Sequence, residues 1–203
     1  MVKLTDKLLA AFSRCNVMLQ WLILSLLALA LYAPVIGNSF VNDDFFVLKK
    51  VCHDKKLNIS GFFRPLSDIT LYGNYILSGF NAAAFRITNI LVHALNALLL
   101  FHFCKGWRWS ENNRQALAVA GLSTVLFLTY PFHNEPVVWI LGRASLLAST
   151  FAFLALAIMV NKWPLYWKIT GVSVCYFIAM TGYESVFLLP AIICSWLLAH
   201  KAS

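Results

Sequence analysis

The sequence predicts an all-α, polytopic membrane bundle of about six transmembrane helices, with one further helix in the first outer loop. Three observations predict it. First, 61% of the 203 residues are hydrophobic, only 12% are charged, and the mean hydropathy is +0.74; soluble domains carry roughly a quarter charged residues. Second, the apolar residues gather into six runs, and 203 residues leave room for roughly six crossings at about 20 residues each, but not for a separate soluble domain. Third, lysines and arginines sit in alternate connections between the runs. The net charge of +8 therefore reads as a topology signal and not as a nucleic-acid surface. Cys15, Cys52, Cys104, Cys175 and Cys194 form no Cys-x-x-Cys pair, which argues against both a disulfide framework and a thiolate metal site.

The runs are 17–36, 84–104, 115–131, 137–160, 165–182 and 184–199. The first covers roughly 30 Å at about 1.5 Å per residue, one hydrocarbon core. It is too long for the apolar part of a signal peptide, and no convincing small-x-small cleavage site follows it. The last is short and contains Pro190. With the amino terminus in the cytoplasm, six crossings keep Lys3, Lys7, Arg14, Lys105, Arg108, Arg114, Lys162, Lys168 and Lys201 inside, as the positive-inside rule requires. Both termini are then cytoplasmic. Asp43, Asp44, Asp54, Asp68, Glu135 and Glu184 fall on the opposite face, leaving only Asp6 and Glu111 inside. Lys49, Lys50, Lys55 and Lys56 depart from the rule, in a longer loop where the bias is weaker.

That loop, 37–83, is the one long segment between runs. Ile69, Tyr72, Ile76 and Phe80 follow at three- and four-residue steps, one face of a helix. Pro65 suits a first helical position and Asp68 the positive end of the dipole. An interfacial helix is expected, lying in the plane of the membrane beside the Asp pair.

Four groups are expected at this outer layer. Asp43-Asp44 follows the first run directly; adjacent carboxylates repel and lose hydration near lipid, so a base or cation role competes with a helix cap or solvated loop. Arg64 precedes the interfacial helix and reads as a phosphate contact or an ordinary headgroup contact. In "YPFHNEPVVWILGR" (130–143), a helix begun at Pro136 would place Glu135, Trp139 and Arg143 on one stripe. Arg143 would then lie on the order of 10 Å below the helix start. There it needs an anionic partner or a polar cavity, unless it snorkels. Glu184 lies between the last two runs, as a site residue or a helix cap. Asn89, His93 and Asn96 stripe the second run, where such residues more often hold helices together; His93 is also a candidate substrate contact. Carboxylates to accept a hydroxyl proton and arginines to hold a phosphate, both at headgroup depth, suit sugar transfer from a lipid phosphate.

The stretches "NSFVNDD", "FRPLSDITLYGNYILSGFNAAAFRITNILVHALNALLLF", "YPFHNEPVVWILGRASLLASTFAFLAL" and "YESVFLLP" resemble the membrane part of GT-C superfamily glycosyltransferases. The resemblance points in particular to the transmembrane-and-TPR-containing O-mannosyltransferases and their bacterial relatives. It runs in order over about residues 20–198. It implies a GT-C-like module using a polyprenyl- or dolichyl-phosphate sugar on the periplasmic or lumenal side. The host membrane would be a bacterial inner membrane, or an endoplasmic-reticulum membrane in a eukaryote. Asp43 or Asp44 would be the base or, in metal-using relatives, a ligand for a divalent cation (Mg or Mn). His133 and Glu135 match the family's His-x-Glu, with Glu135 counted among the catalytic residues and His133 among the substrate contacts. Arg64 and Arg143 are expected at the lipid phosphate, an assignment resting on charge and placement. Glu184 matches the Glu of a Lys-Glu pair whose Lys is Tyr183 here, and Arg86 stands where the family has His. Relatives continue with further membrane helices and often TPR repeats, so the resemblance leaves three alternatives: a compact enzyme, a chain that needs a partner membrane subunit supplying the missing helices, or a degenerate remnant.

The leading expectation is thus a membrane glycosyltransferase. The alternative is a non-catalytic accessory subunit, either a lipid-phosphate-sugar binder or a flippase component. An ion or proton transporter would use the acids but not the arginines.

Overall fold

The computed structural model describes residues 2–41, 43–56, 63–107 and 112–201, and side chains between 5 and 195 within these ranges. Asn42, Arg108, Glu111 and the Asn58-Ile59-Ser60 sequon lie outside them. All regular structure among the described residues is helical. In order come α1 (Val2–Arg14), α2 (Val17–Ile36), α3 (Asp43–Leu48), α4 (Pro65–Ser78), α5 (Ala82–Gly106), α6 (Asn113–Thr129), α7 (Asn134–Val138), α8 (Arg143–Val160), α9 (Leu165–Met180) and α10 (Leu189–Lys201).

Asparagines start three of the longer helices. The side chain of Asn16 accepts from the Leu19 amide (2.7 Å), that of Asn81 from Ala83 and Ala84 (3.1 and 3.3 Å), and that of Asn112 from Arg114 (3.0 Å). Each satisfies amides that a helix start leaves without a partner. Pro65 opens α4, where its missing amide costs nothing.

Three helical stretches are long and apolar enough to cross a membrane: Val17–Ile36, Ala82–Gly106 and Ile140–Val160. A fourth candidate is α6 with Pro131–Val138, bent by 52° at Tyr130. The structure therefore carries three or four candidate spans by length and composition; α9 and Glu184–Ser195 are apolar but shorter.

Helix α5 is the central post, packed against α2, α6 and α8, with α9 on the far side of α8. Leu24, Ala28 and Tyr32 of α2 meet Ile90, Ala94, Ala97 and Leu98 of α5, with Leu128, Val137 and Leu146 closing the core. Polar residues stitch the same interface. Asn96 donates to the Leu146 carbonyl (2.9 Å) and accepts from Thr150 (2.7 Å), the interhelical role read from its position in the stripe. A second core of Leu48, Val51, Cys52, Leu71, Phe85 and Ile140 seats α3 and α4 on one end of the bundle. Burial and its interaction with Asp68 push the Cys52 thiol up to about 11, so it packs as a neutral apolar group.

Helix α4 is amphipathic with its polarity reversed. Ser67, Asp68 and Asn74 face inward with Leu71, whereas Ile69 and Ile76 (65% each) and Leu77 (88%) are exposed.

Candidate functional site

The expected stripe Glu135–Trp139–Arg143 does not form, because the helix breaks at Trp139. Trp139 has an extended backbone (φ −73°, ψ 126°), separating α7 from a short 3-10 turn, Ile140–Gly142, that leads into α8. A break strands carbonyls that an apolar interior cannot leave unpaired, and two side chains of α5 take them up. The Asn89 amide nitrogen lies 3.4, 3.1 and 3.3 Å from the carbonyls of Val137, Trp139 and Ile140. Nε of Arg86 donates to the carbonyl of Val138 (3.1 Å). Gly142 completes the bend: a Cβ there would stand 2.6 Å from both Cα and the carbonyl oxygen of Pro136. Only glycine fits that approach.

Arg143 is therefore turned into the protein, and the expectations of snorkelling and of a lipid-phosphate contact are corrected. It is 1% exposed. Its Nε donates to Oδ1 of Asn89 (2.8 Å), Nη1 to the Thr70 carbonyl (3.1 Å), and Nη2 to Oδ1 of Asn74 (2.8 Å) and the Phe85 carbonyl (2.9 Å). Of the two surroundings expected, an anionic partner or a polar cavity, these neutral acceptors supply the second. The guanidinium ties α4 and α5 to the start of α8, and through Asn89 it steadies the break.

Arg86, absent from the expected site, is a second such clamp. Its Nη atoms hold the carbonyls of Asn38 and Ser39, the connection between α2 and α3. The sequence signal was a cation just inside the second apolar run.

The Asp pair divides. Asp43 is exposed, whereas Asp44 is fully buried, with Oδ2 accepting from the Val41 amide at 2.9 Å. Oδ1 makes no hydrogen bond of good geometry, although the Leu141 backbone faces the carboxylate. Desolvation raises the Asp44 carboxyl above its usual range; the Val41 amide and the nearby Arg86 charge oppose that rise. Asp44 is thus a positioning residue of the α2–α3 connection, which corrects its expected catalytic role. A cation site built from adjacent Asp43 and Asp44 does not fit this geometry. Among the described residues, no three His, Cys, Asp or Glu side chains gather to hold a metal ion.

The other expected residues line three cavities that have Trp139 in common. One of about 250 Å³ is lined by Asp43, Arg64, Asp68, Leu141 and Trp139, among others. A wider one of about 610 Å³ is lined by Asp43, Glu135, Asn134, Val138 and Trp139. The third, about 170 Å³, lies between Arg64, Glu135, Ser145, Tyr183 and Trp139. Asp43, Arg64 and Glu135 each border two of the three, and Trp139 borders all of them. Nη2 of Arg64 reaches both carboxylate oxygens of Glu184 (3.1 and 3.2 Å), and the guanidinium lies 4.1 Å over the Tyr183 ring. Glu184 thus orients Arg64, and Tyr183 supplies the ring over which the guanidinium lies. Trp139, Asp68 and Tyr183 were not among the expected site residues, although the sequence set Trp139 on the stripe with Glu135 and Asp68 on the same outer face.

His93 and His133 do not line these three cavities. His93 is fully buried, 4.9 Å from the Phe127 ring and 5.3 Å from that of His133. His133 is held through Nδ1 at 2.8 Å from the Phe127 carbonyl.

This geometry belongs to a chain with identifiable relatives. It is 33% identical over 93 residues to the human protein O-mannosyl-transferase TMTC3, covering 46% of this chain and 9% of the relative. It is 36% identical over 105 residues to mouse protein O-mannosyl-transferase TMTC4, covering 46% and 14%. A Caenorhabditis elegans protein O-mannosyl-transferase matches at 27% over 140 residues, covering 69% and 20%. The chain thus spans about a tenth to a fifth of the length of these curated relatives. No family model and no solved structure matches. Over about half of its length, then, this helical chain is similar to proteins named protein O-mannosyl-transferases.

Proposed function

We propose that the chain is, or forms part of, a membrane glycosyltransferase that moves a sugar, mannose by analogy with the relatives' names, from a polyprenyl-phosphate donor to a hydroxyl acceptor. The observation that carries this reading is the meeting of Asp43, Arg64 and Glu135 around Trp139. These residues come from separate parts of the sequence, and together they supply a base, a phosphate-binding cation and a second carboxylate.

The step balances as follows. The acceptor oxygen attacks the anomeric carbon, the carbon–oxygen bond to phosphate breaks, and polyprenyl phosphate leaves with the bonding electron pair. Asp43 takes the acceptor proton, and Arg64, oriented by Glu184, stabilises the departing phosphate. Glu135, exposed at the mouth of two cavities, orients the acceptor hydroxyl. Six crossings complete the arrangement, with α9 and the Glu184–Lys201 segment as the short fifth and sixth. The apolar outer side of α4 lies against lipid in the interface plane, and the cavities open on the periplasmic or lumenal side.

The test is incubation of the purified chain with dolichyl-phosphate mannose carrying labelled mannose, together with mass spectrometry of co-purified lipid. Consumption of the donor and a retained isoprenoid phosphate are expected. A retained isoprenoid phosphate without transfer would favour an accessory sugar-lipid binder, and neither result would overturn both readings.

A further inference from the structure

We infer that Trp139 is the stacking platform for the transferred sugar, and that the helix break exists to present it. This rests on the glycosyltransferase reading and adds to it a binding subsite with its own ligand class, a hexopyranose.

The first argument is position. Trp139 is the one residue common to the three cavities around it. A group seated against Trp139 in any of them shares that cavity with two of the three charged residues Asp43, Arg64 and Glu135. The second is chemistry. A pyranose has hydroxyls around its rim and C–H bonds on its faces, so it needs a flat apolar wall ringed by hydrogen-bonding groups. An indole that shares its cavities with Asp43, Glu135, Arg64, Ser145 and Tyr183 has that composition. An isoprenoid tail against Trp139 would strip water from those charges without replacing it.

The third is construction. The break at Trp139 loosens the backbone pairing of four consecutive carbonyls, Val137 to Ile140, of which those of Trp139 and Ile140 still accept the amides of Gly142 and Arg143. Each is met by Asn89 or Arg86, and Arg143 in turn holds Asn89. A buried set of two arginines and an asparagine is a costly way to hold one bend, and an unbroken helix would need none of them. The break moves Trp139 off the stripe that would have joined it to Arg143, which is now buried among α4, α5 and α8.

The experiment measures binding of dolichyl-phosphate mannose and of dolichyl phosphate without sugar to the full chain in nanodiscs, for wild type, Trp139→Phe and Trp139→Ala. Wild type should prefer the sugar-bearing lipid, Trp139→Ala should lose about tenfold of that preference, and Trp139→Phe should lose less, since it keeps a ring. Binding of the sugar-free lipid should change by less than about twofold, which also shows that the variants are folded. Full preference in Trp139→Ala, equal loss for both lipids, or no preference in wild type would overturn the inference. Failure of the glycosyltransferase reading is a separate result: mannose transfer absent while the sugar preference and its dependence on Trp139 persist.

Discussion

Successive helical residues point about 100° apart, so Asp43 and Asp44 at the start of α3 cannot both face a cavity. One is exposed and the other buried. Their variants should therefore behave differently. Asp43→Asn should leave thermal stability in detergent unchanged, since the side chain is exposed at the cavity mouth. Asp44→Ala should cost about 1–3 kcal/mol by leaving the Val41 amide without its acceptor. The pH dependence carries a sign. The folded state binds the Asp44 proton more tightly than the unfolded chain does, because burial raises its carboxyl. This group's contribution to stability therefore grows as pH falls from neutral towards about 4, opposite to an ordinary paired carboxylate. The melting temperature of wild type relative to Asp44→Asn should therefore rise as pH falls across that range. A wild-type advantage that shrinks on acidification would contradict the assignment. Arg143→Met should cost at least about 3 kcal/mol, because Asn89, Asn74 and two carbonyls lose a buried donor. Chemical denaturation would measure it.

At the scale of elements, the decisive unit is the broken segment from α7 to α8. Hydrophobic run and helical period made 137–160 legible as an apolar helix, and nothing in a periodicity count signals a bend at Trp139. What signals it, in retrospect, is the combination of Pro136, Gly142 and polar residues at matching depth on another run, Arg86 and Asn89. Those signals become readable only once α5 and α7 are known to be neighbours. The same segment explains why Glu135 could be read as a site residue while Arg143 could not be read as a clamp. Glu135 precedes the bend and keeps its expected exposure, whereas Arg143 follows it and is turned by the bend's geometry. Gly142→Ala should push Pro136 away, costing about 1–3 kcal/mol. If the platform is where the argument places it, the same variant should weaken sugar-lipid preference more than sugar-free lipid binding.

On the scale of the whole molecule, hydropathy made the helical membrane class legible, and charge distribution suggested an orientation. One end carries Lys7, Arg14, Lys105, Arg114, Lys162 and Lys168, with Arg114 paired to Asp6 across α1 and α6. The other gathers Asp43, Asp68, Glu135 and Glu184. A protease-protection assay with tags at both termini should place both in the cytoplasm; a translocated amino terminus would put the cavities on the wrong side for a lipid-linked donor used outside. What the sequence could not supply was the division of charged residues between structure and surface, because that depends on which helices touch. Arg86, Asp44 and Arg143 hold the frame, whereas Asp43, Arg64 and Glu135 meet in its cavities. The most direct measurement is mannose transfer from dolichyl-phosphate mannose by wild type and Asp43→Asn at matched folding. The account predicts a loss of about 100-fold or more with an unchanged melting temperature. Wild-type transfer by Asp43→Asn would contradict it.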